Sequence, residues 1–160
     1  MSGKLQFCCI NRSIAVSRPG NNPKRRIAPA NYASNGVRRR LEASARYVGS
    51  GHHKRNPADY GLPRTNPRPT KSLCDLARGI LLAEAKLLMA SGIRCGMFSE
   101  IHEGGFPKFI WSVSDRGEVF DAKTDTHGTG EYHGYPLEDE DPMHVYVKSV
   151  WEERCPSAGR

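Results

Sequence analysis

Apolar residues set the first constraint on what this chain can fold into. They are sparse from Arg18 to Lys71 and recur with regular periods from Leu73 onward. Only a patterned segment can bury a continuous face, so the sequence predicts a folded core of roughly 80–90 residues in the back half. Ser72 is a candidate N-cap with Asp75 at its third position. Leu73, Leu76, Ala77, Ile80, Leu81, Leu87 and Leu88 then form one helical stripe, and Ser91-Gly92 reads as the stop. Beyond it the period becomes alternating. Arg94–Ser99, Lys108–Val113, Glu118–Lys123 and Tyr132–Leu137 are candidate strands, with turns at Gly104-Gly105 and Asp115-Arg116-Gly117. Asp141-Pro142 opens a closing helix to about Trp151. The class is α+β: a helix, a three- to four-stranded antiparallel meander and a C-terminal helix.

The front of the chain reads differently. Residues 1–48 form a basic, partly flexible N-terminal region, with short strands around Leu5–Ile10 and Ile14–Val16 and a helix over 37–47. From Ser17 to Asn35 the turn-rich, cationic stretch buries too little surface to offset its ordering entropy. Residues 49–71 hold Pro57, Pro63, Pro67 and Pro69 and read as a stiff loop. The core domain is 72–154.

Charge follows the same division. Residues 1–71 carry fifteen Lys/Arg against two acids, and residues 72–160 carry nine against fifteen. The commonest partner for so cationic a half is a polyanion. The five cysteines, Cys8, Cys9, Cys74, Cys95 and Cys155, are odd in number and irregularly spaced, which points to a reducing, cytoplasmic compartment rather than a disulfide framework. Asn11 and Arg12 interrupt the apolar residues near the start, so neither a signal peptide nor a membrane span is expected. No P-loop, GxGxxG, GxSxG or HExxH occurs, which disfavours kinases, dehydrogenases, α/β-hydrolases and zincins.

Two groups of residues could carry chemistry. His52-His53-Lys54-Arg55 combines imidazoles that titrate near neutrality with cations suited to a phosphoryl group. Arg64, Arg68 and Lys71 follow on the proline-stiffened loop. The second group is Glu131-Tyr132-His133-Gly134-Tyr135, in which a histidine and tyrosine hydroxyls could face a cleft. Were His53 and His133 to converge, they would supply an acid and a base, and RNA brings its own nucleophile in the ribose 2′-OH. The plainer alternatives are a solvated basic loop and tyrosines packed on a sheet. Adjacent His52 and His53 do not readily chelate one ion, and zinc spacing is missing, so no metal or cofactor is expected. Glu138–Asp141 reads as a solvated acidic run leading into the last helix.

The back half, Lys71–Trp151, resembles in layout the small bacterial ribonuclease toxins of the barnase, EndoU, colicin and RelE kind. Two phrases, His-His-Lys-Arg-Asn-Pro-x-Asp-Tyr-Gly and Tyr-His-Gly-Tyr-Pro-Leu, are similar to those of small bacterial proteins of unassigned function. The toxin resemblance implies metal-independent RNA cleavage by groups on a sheet and its loops, and an antitoxin as protein partner. The expected catalytic residues are then His52, His53, Lys54 and His133, with Arg55, Arg64, Arg68, Lys71 and Tyr132 on phosphate. RNA is favoured over DNA, and no membrane is involved. One departure stands out, because His52–Arg55 precede the helix and must fold back to reach His133. The rival expectations are a non-catalytic nucleic-acid-binding protein with a basic arm, and a phage- or defence-related accessory protein that binds a protein partner.

Overall fold

A computed structural model describes residues 22, 24–51, 57–63, 78–102, 104–124 and 128–155. Its elements are α1 (Asn35–Ser44), β1 (Arg46–Tyr47), a 3-10 turn at Pro57–Tyr60, α2 (Leu82–Arg94), β2 (Phe109–Val113), β3 (Val119–Thr124), β4 (Glu131–Pro136) and α3 (Pro142–Arg154). The fold is α+β, as expected. The sheet, however, is mixed. Its strand order is β1-β4-β3-β2, with β4, β3 and β2 antiparallel and β1 parallel to β4.

The meander forms where alternation and turn glycines coincide. Val113 pairs with Val119 across a loop closed by the Ser114 N–H to the Glu118 carbonyl (2.9 Å) and the Gly117 N–H to the Ser114 carbonyl (2.8 Å). Met97–Ser99 adds a short bridge to β2 through Phe98 and Ile110, which is all that forms of the strand expected over Arg94–Ser99. The sheet lies between two helical layers. On one face α1 and α2 bury Leu41, Met89 and Ile93 against Ile110, Ala122 and Tyr132. On the other α3 buries Met143, Val147 and Val150 against Trp111, Val119 and Leu137. The acidic run before α3 ends in its cap: the Asp141 carboxylate accepts from the Met143 N–H at 2.8 Å, and Pro142 takes the first helical position.

The long helix differs from its expected bounds at both ends. It begins at Leu82, because Arg78 is held in extended chain by hydrogen bonds to Glu84 (2.8 and 3.0 Å) and Glu118 (2.6 and 3.0 Å). Ser72 and Asp75 lie outside the described residues. The helix also runs through Gly92. A Cβ there would stand 2.3 Å from the Trp111 carbonyl oxygen, so glycine marks a close helix–strand approach rather than a stop. The helix ends at Gly96 in the left-handed region (φ +68°), with the Arg38 guanidinium donating to the Arg94 (3.1 Å) and Ala30 (2.8 Å) carbonyls.

The front of the core also differs. Ile27, Ala28, Ala33 and Leu41 are buried, and the Ala28 N–H donates to the Phe98 carbonyl (2.8 Å). The chain from Arg25 to Val48 therefore belongs to the core, upstream of the boundary expected near Lys71. The expected helix over 37–47 stops at Ser44, and Arg46–Tyr47 become β1, with Arg46 N–H donating to the Gly130 carbonyl and Val48 N–H to the Tyr132 carbonyl, both at 2.8 Å. The strands expected near the start lie outside the described residues. Cys95 and Cys155 form a disulfide with their Cα atoms 5.6 Å apart, against the expectation of unpaired cysteines. Among the described residues no helix is long and apolar enough to cross a membrane.

Candidate functional site

The in-register pairs decide which side chains share a face. Asp121 lies opposite Trp111 on β2 and Tyr135 on β4, while Lys123 lies opposite Phe109 and His133. Directly paired residues point the same way, and strand residues two apart do so too. Asp121, Lys123, His133 and Tyr135 therefore form a two-by-two block of ionisable side chains on the face that also carries α3. The aromatic rings of Phe109 and Trp111 flank it on β2, stacked with centroids 5.6 Å apart. The Lys123 ammonium stands 5.9 Å from the Phe109 ring centroid.

Asp121 is the most unusual member. It is 0% exposed, and neither carboxylate oxygen has a hydrogen-bond partner. The facing Trp111 indole N–H lacks a partner at full hydrogen-bonding geometry, yet lies close enough to Asp121 to favour its charged form. The nearest cation is Arg25, whose Nη2 sits 3.8 Å from Asp121 but 3.0 Å from Asp141. Burial pushes the Asp121 carboxyl up to about 7, although Arg25 and Lys123 pull it down. A carboxyl titrating at neutrality beside a histidine and a lysine marks a functional-site candidate.

Of the expected site residues, only His133 and Tyr132 fall within the described structure. His133 is half-buried in the block. Tyr132 is on the opposite face, 0% exposed, and its hydroxyl donates to the Pro107 carbonyl at 2.6 Å. It is a core residue, because strand alternation sends neighbouring side chains to opposite faces, and no phosphate can reach it. His52, His53, Lys54, Arg55, Arg64, Arg68 and Lys71 lie outside the described residues. The chain that leads to the first four is described as far as Gly51. There the Val48 and Gly49 N–H groups both donate to the Tyr132 carbonyl (2.8 and 3.2 Å), so the segment departs from the sheet edge next to His133.

The sequence reading overlooked Asp121 and Lys123. Their signal was present: an acid and a base two apart in a strand, Asp121 and Lys123, either side of the apolar Ala122. An apolar pocket is walled by Tyr47, Tyr60, Leu62, Ile80, Leu88 and Phe120, and Asp121 and Tyr135 also line it. Among the described residues, no three His, Cys, Asp or Glu side chains gather as a metal site would require. Compared with family models, curated proteins and solved structures, the chain shows no match in any of the three.

Proposed function

We propose that this protein acts on nucleic acid, with RNA as the substrate, as a metal-independent endoribonuclease of toxin type. The observation that carries the reading is the parallel pairing of β1 with β4. In its support, the chain leaving β1 toward His52–Arg55 passes the Tyr132 backbone, one residue from His133. In this mechanism one imidazole takes the proton of the ribose 2′-OH as the oxygen attacks phosphorus. The other gives a proton to the departing 5′-oxygen as the P–O5′ bond breaks. His133 fills one role and His53 or His52 the other. Lys54 and Arg55, with Arg64, Arg68 and Lys71, neutralise the phosphoryl oxygens, and Lys123 joins them from the block. An antitoxin-like protein partner and a cytoplasmic location belong to the same proposal. The redox state of Cys95 and Cys155 in cell extract checks the location.

The test is labelled RNA incubated with protein in EDTA, beside His133→Ala and Lys123→Ala variants. Cleavage that survives the chelator and disappears in His133→Ala supports the reading. Intact RNA with a mobility shift that weakens steeply with salt leaves only a phosphate-gripping binder. No shift even at low salt removes both.

A further inference from the structure

Asp121 and His133 stand diagonally on the same sheet face, one step apart in the β3–β4 register. Diagonal neighbours lie about 7–8 Å apart, inside one Debye length. Protein rather than water fills much of the space around the carboxylate, which is 0% exposed. Its ion pair with Arg25 is long, at 3.8 Å, so its charge is only partly offset. The charged and titratable groups facing it are Arg25 from the N-terminal segment, Asp141 from the α3 cap, Lys123 on its own strand, and His133 and Tyr135 on β4. Trp111 faces it from β2 and carries no charge. Arg25 leans toward Asp141 (3.0 Å against 3.8 Å), so it offsets Asp121 only in part. Of these side-chain types, imidazole is the one that ordinarily titrates near neutrality.

We propose that Asp121 is a positioning residue for His133, its buried charge holding the imidazole protonated over a wider pH range, so that the two titrate as a coupled pair. The consequence for RNA cleavage rests on the function proposed above; the coupling itself does not. Asp121 never touches substrate. It acts through His133, and burial raises its own ionisation to about 7.

The decisive measurement is the NMR titration of the His133 imidazole in the full chain and in Asp121→Asn, with the signal assigned by its loss in His133→Gln. A full charge at about 7–8 Å in a medium of effective dielectric near 20 corresponds to about one to two pH units. The His133 midpoint is expected to fall by about one unit in Asp121→Asn. Linkage is reciprocal, so the Asp121 carboxyl, followed by its carbon shift, rises by the same amount in His133→Gln. That second arm decides the matter if Asp121→Asn fails to fold. Unmoved midpoints in both variants overturn the inference, whatever the protein does to RNA. Shifted midpoints with intact RNA uphold the coupling and sink the ribonuclease reading. If RNA is cut, the alkaline limb of the pH–rate profile moves down with the His133 midpoint in Asp121→Asn.

Discussion

Replacing Asp121 by Asn should make the protein more stable at alkaline pH, and the structure sets the size of the gain. The side chain is fully buried, with no hydrogen bond to either oxygen, and its carboxyl is raised from 3.8 to about 7. An acid raised on folding binds more protons in the folded state than in the unfolded chain. The stability this carboxyl contributes is therefore fully present below about pH 4, falls as pH climbs toward about 7, and is lost above it. A rise of about three units, at about 1.4 kcal/mol each, puts the loss at about 4 kcal/mol as an upper bound. Asn has the shape of the neutral acid and cannot ionise. Asp121→Asn should match the wild type near pH 4 and exceed it by about 2–4 kcal/mol at pH 8. Urea melts of both proteins from pH 4 to pH 8 give the difference curve, in which the opposing slope from Glu118, held below the usual carboxylate range by its hydrogen bond to Arg78, cancels. A variant less stable than wild type at pH 8, or a flat difference curve, refutes the reasoning.

Three further outcomes follow from packing and covalent structure. Gly92→Ala drives a methyl toward the Trp111 carbonyl oxygen, 2.3 Å from the ideal Cβ, and should cost about 1–3 kcal/mol despite alanine's better helix propensity; Trp fluorescence in denaturant reads it. Tyr132→Phe strips the partner from the Pro107 carbonyl and should destabilise by about 1–2 kcal/mol, read in urea melts. Cys155→Ser opens a loop that joins residues 60 apart, and the chain-entropy estimate for that loop is about 4 kcal/mol. Guanidinium melts should show the loss under oxidising conditions, and added reductant should bring the wild type down to the variant.

The sequence announced those elements whose signals are local. The β2–β3 hairpin was visible because Phe109–Val113 and Val119–Thr124 flank a glycine turn, and α3 because Asp141-Pro142 is a cap followed by a helix-starting proline. The leucine stripe predicts an earlier start for α2 because it runs upstream without a break. What ends it is Arg78 reaching Glu118, forty residues away, and no window of sequence contains both. The two-residue strand β1 has no periodicity to detect, and Ile27 and Ala28 are two apolar residues in a cationic stretch. The block on β3 and β4 was half visible. His133 stands out by its tyrosine neighbours, whereas Asp121 has no comparable neighbours in sequence. Alternation shows that Asp121 and Lys123 share a face. It does not show that the face is covered at one end by α3 and Arg25, and that cover is what makes the carboxylate unusual.

The pairing of Arg46 with Glu131 spans 85 residues and has a consequence for how the chain is made. Closing so long a loop is an entropic cost that only the finished sheet repays, and contacts of such separation slow folding. During synthesis at about 5–20 residues per second, β1 emerges roughly 4–17 s before its partner strand. The cationic front half then has no sheet edge to join, and the site beside His133 does not exist until the last third of the chain has left the ribosome. A ribosome-bound fragment ending before β4 should therefore leave the β1 amides unprotected from exchange.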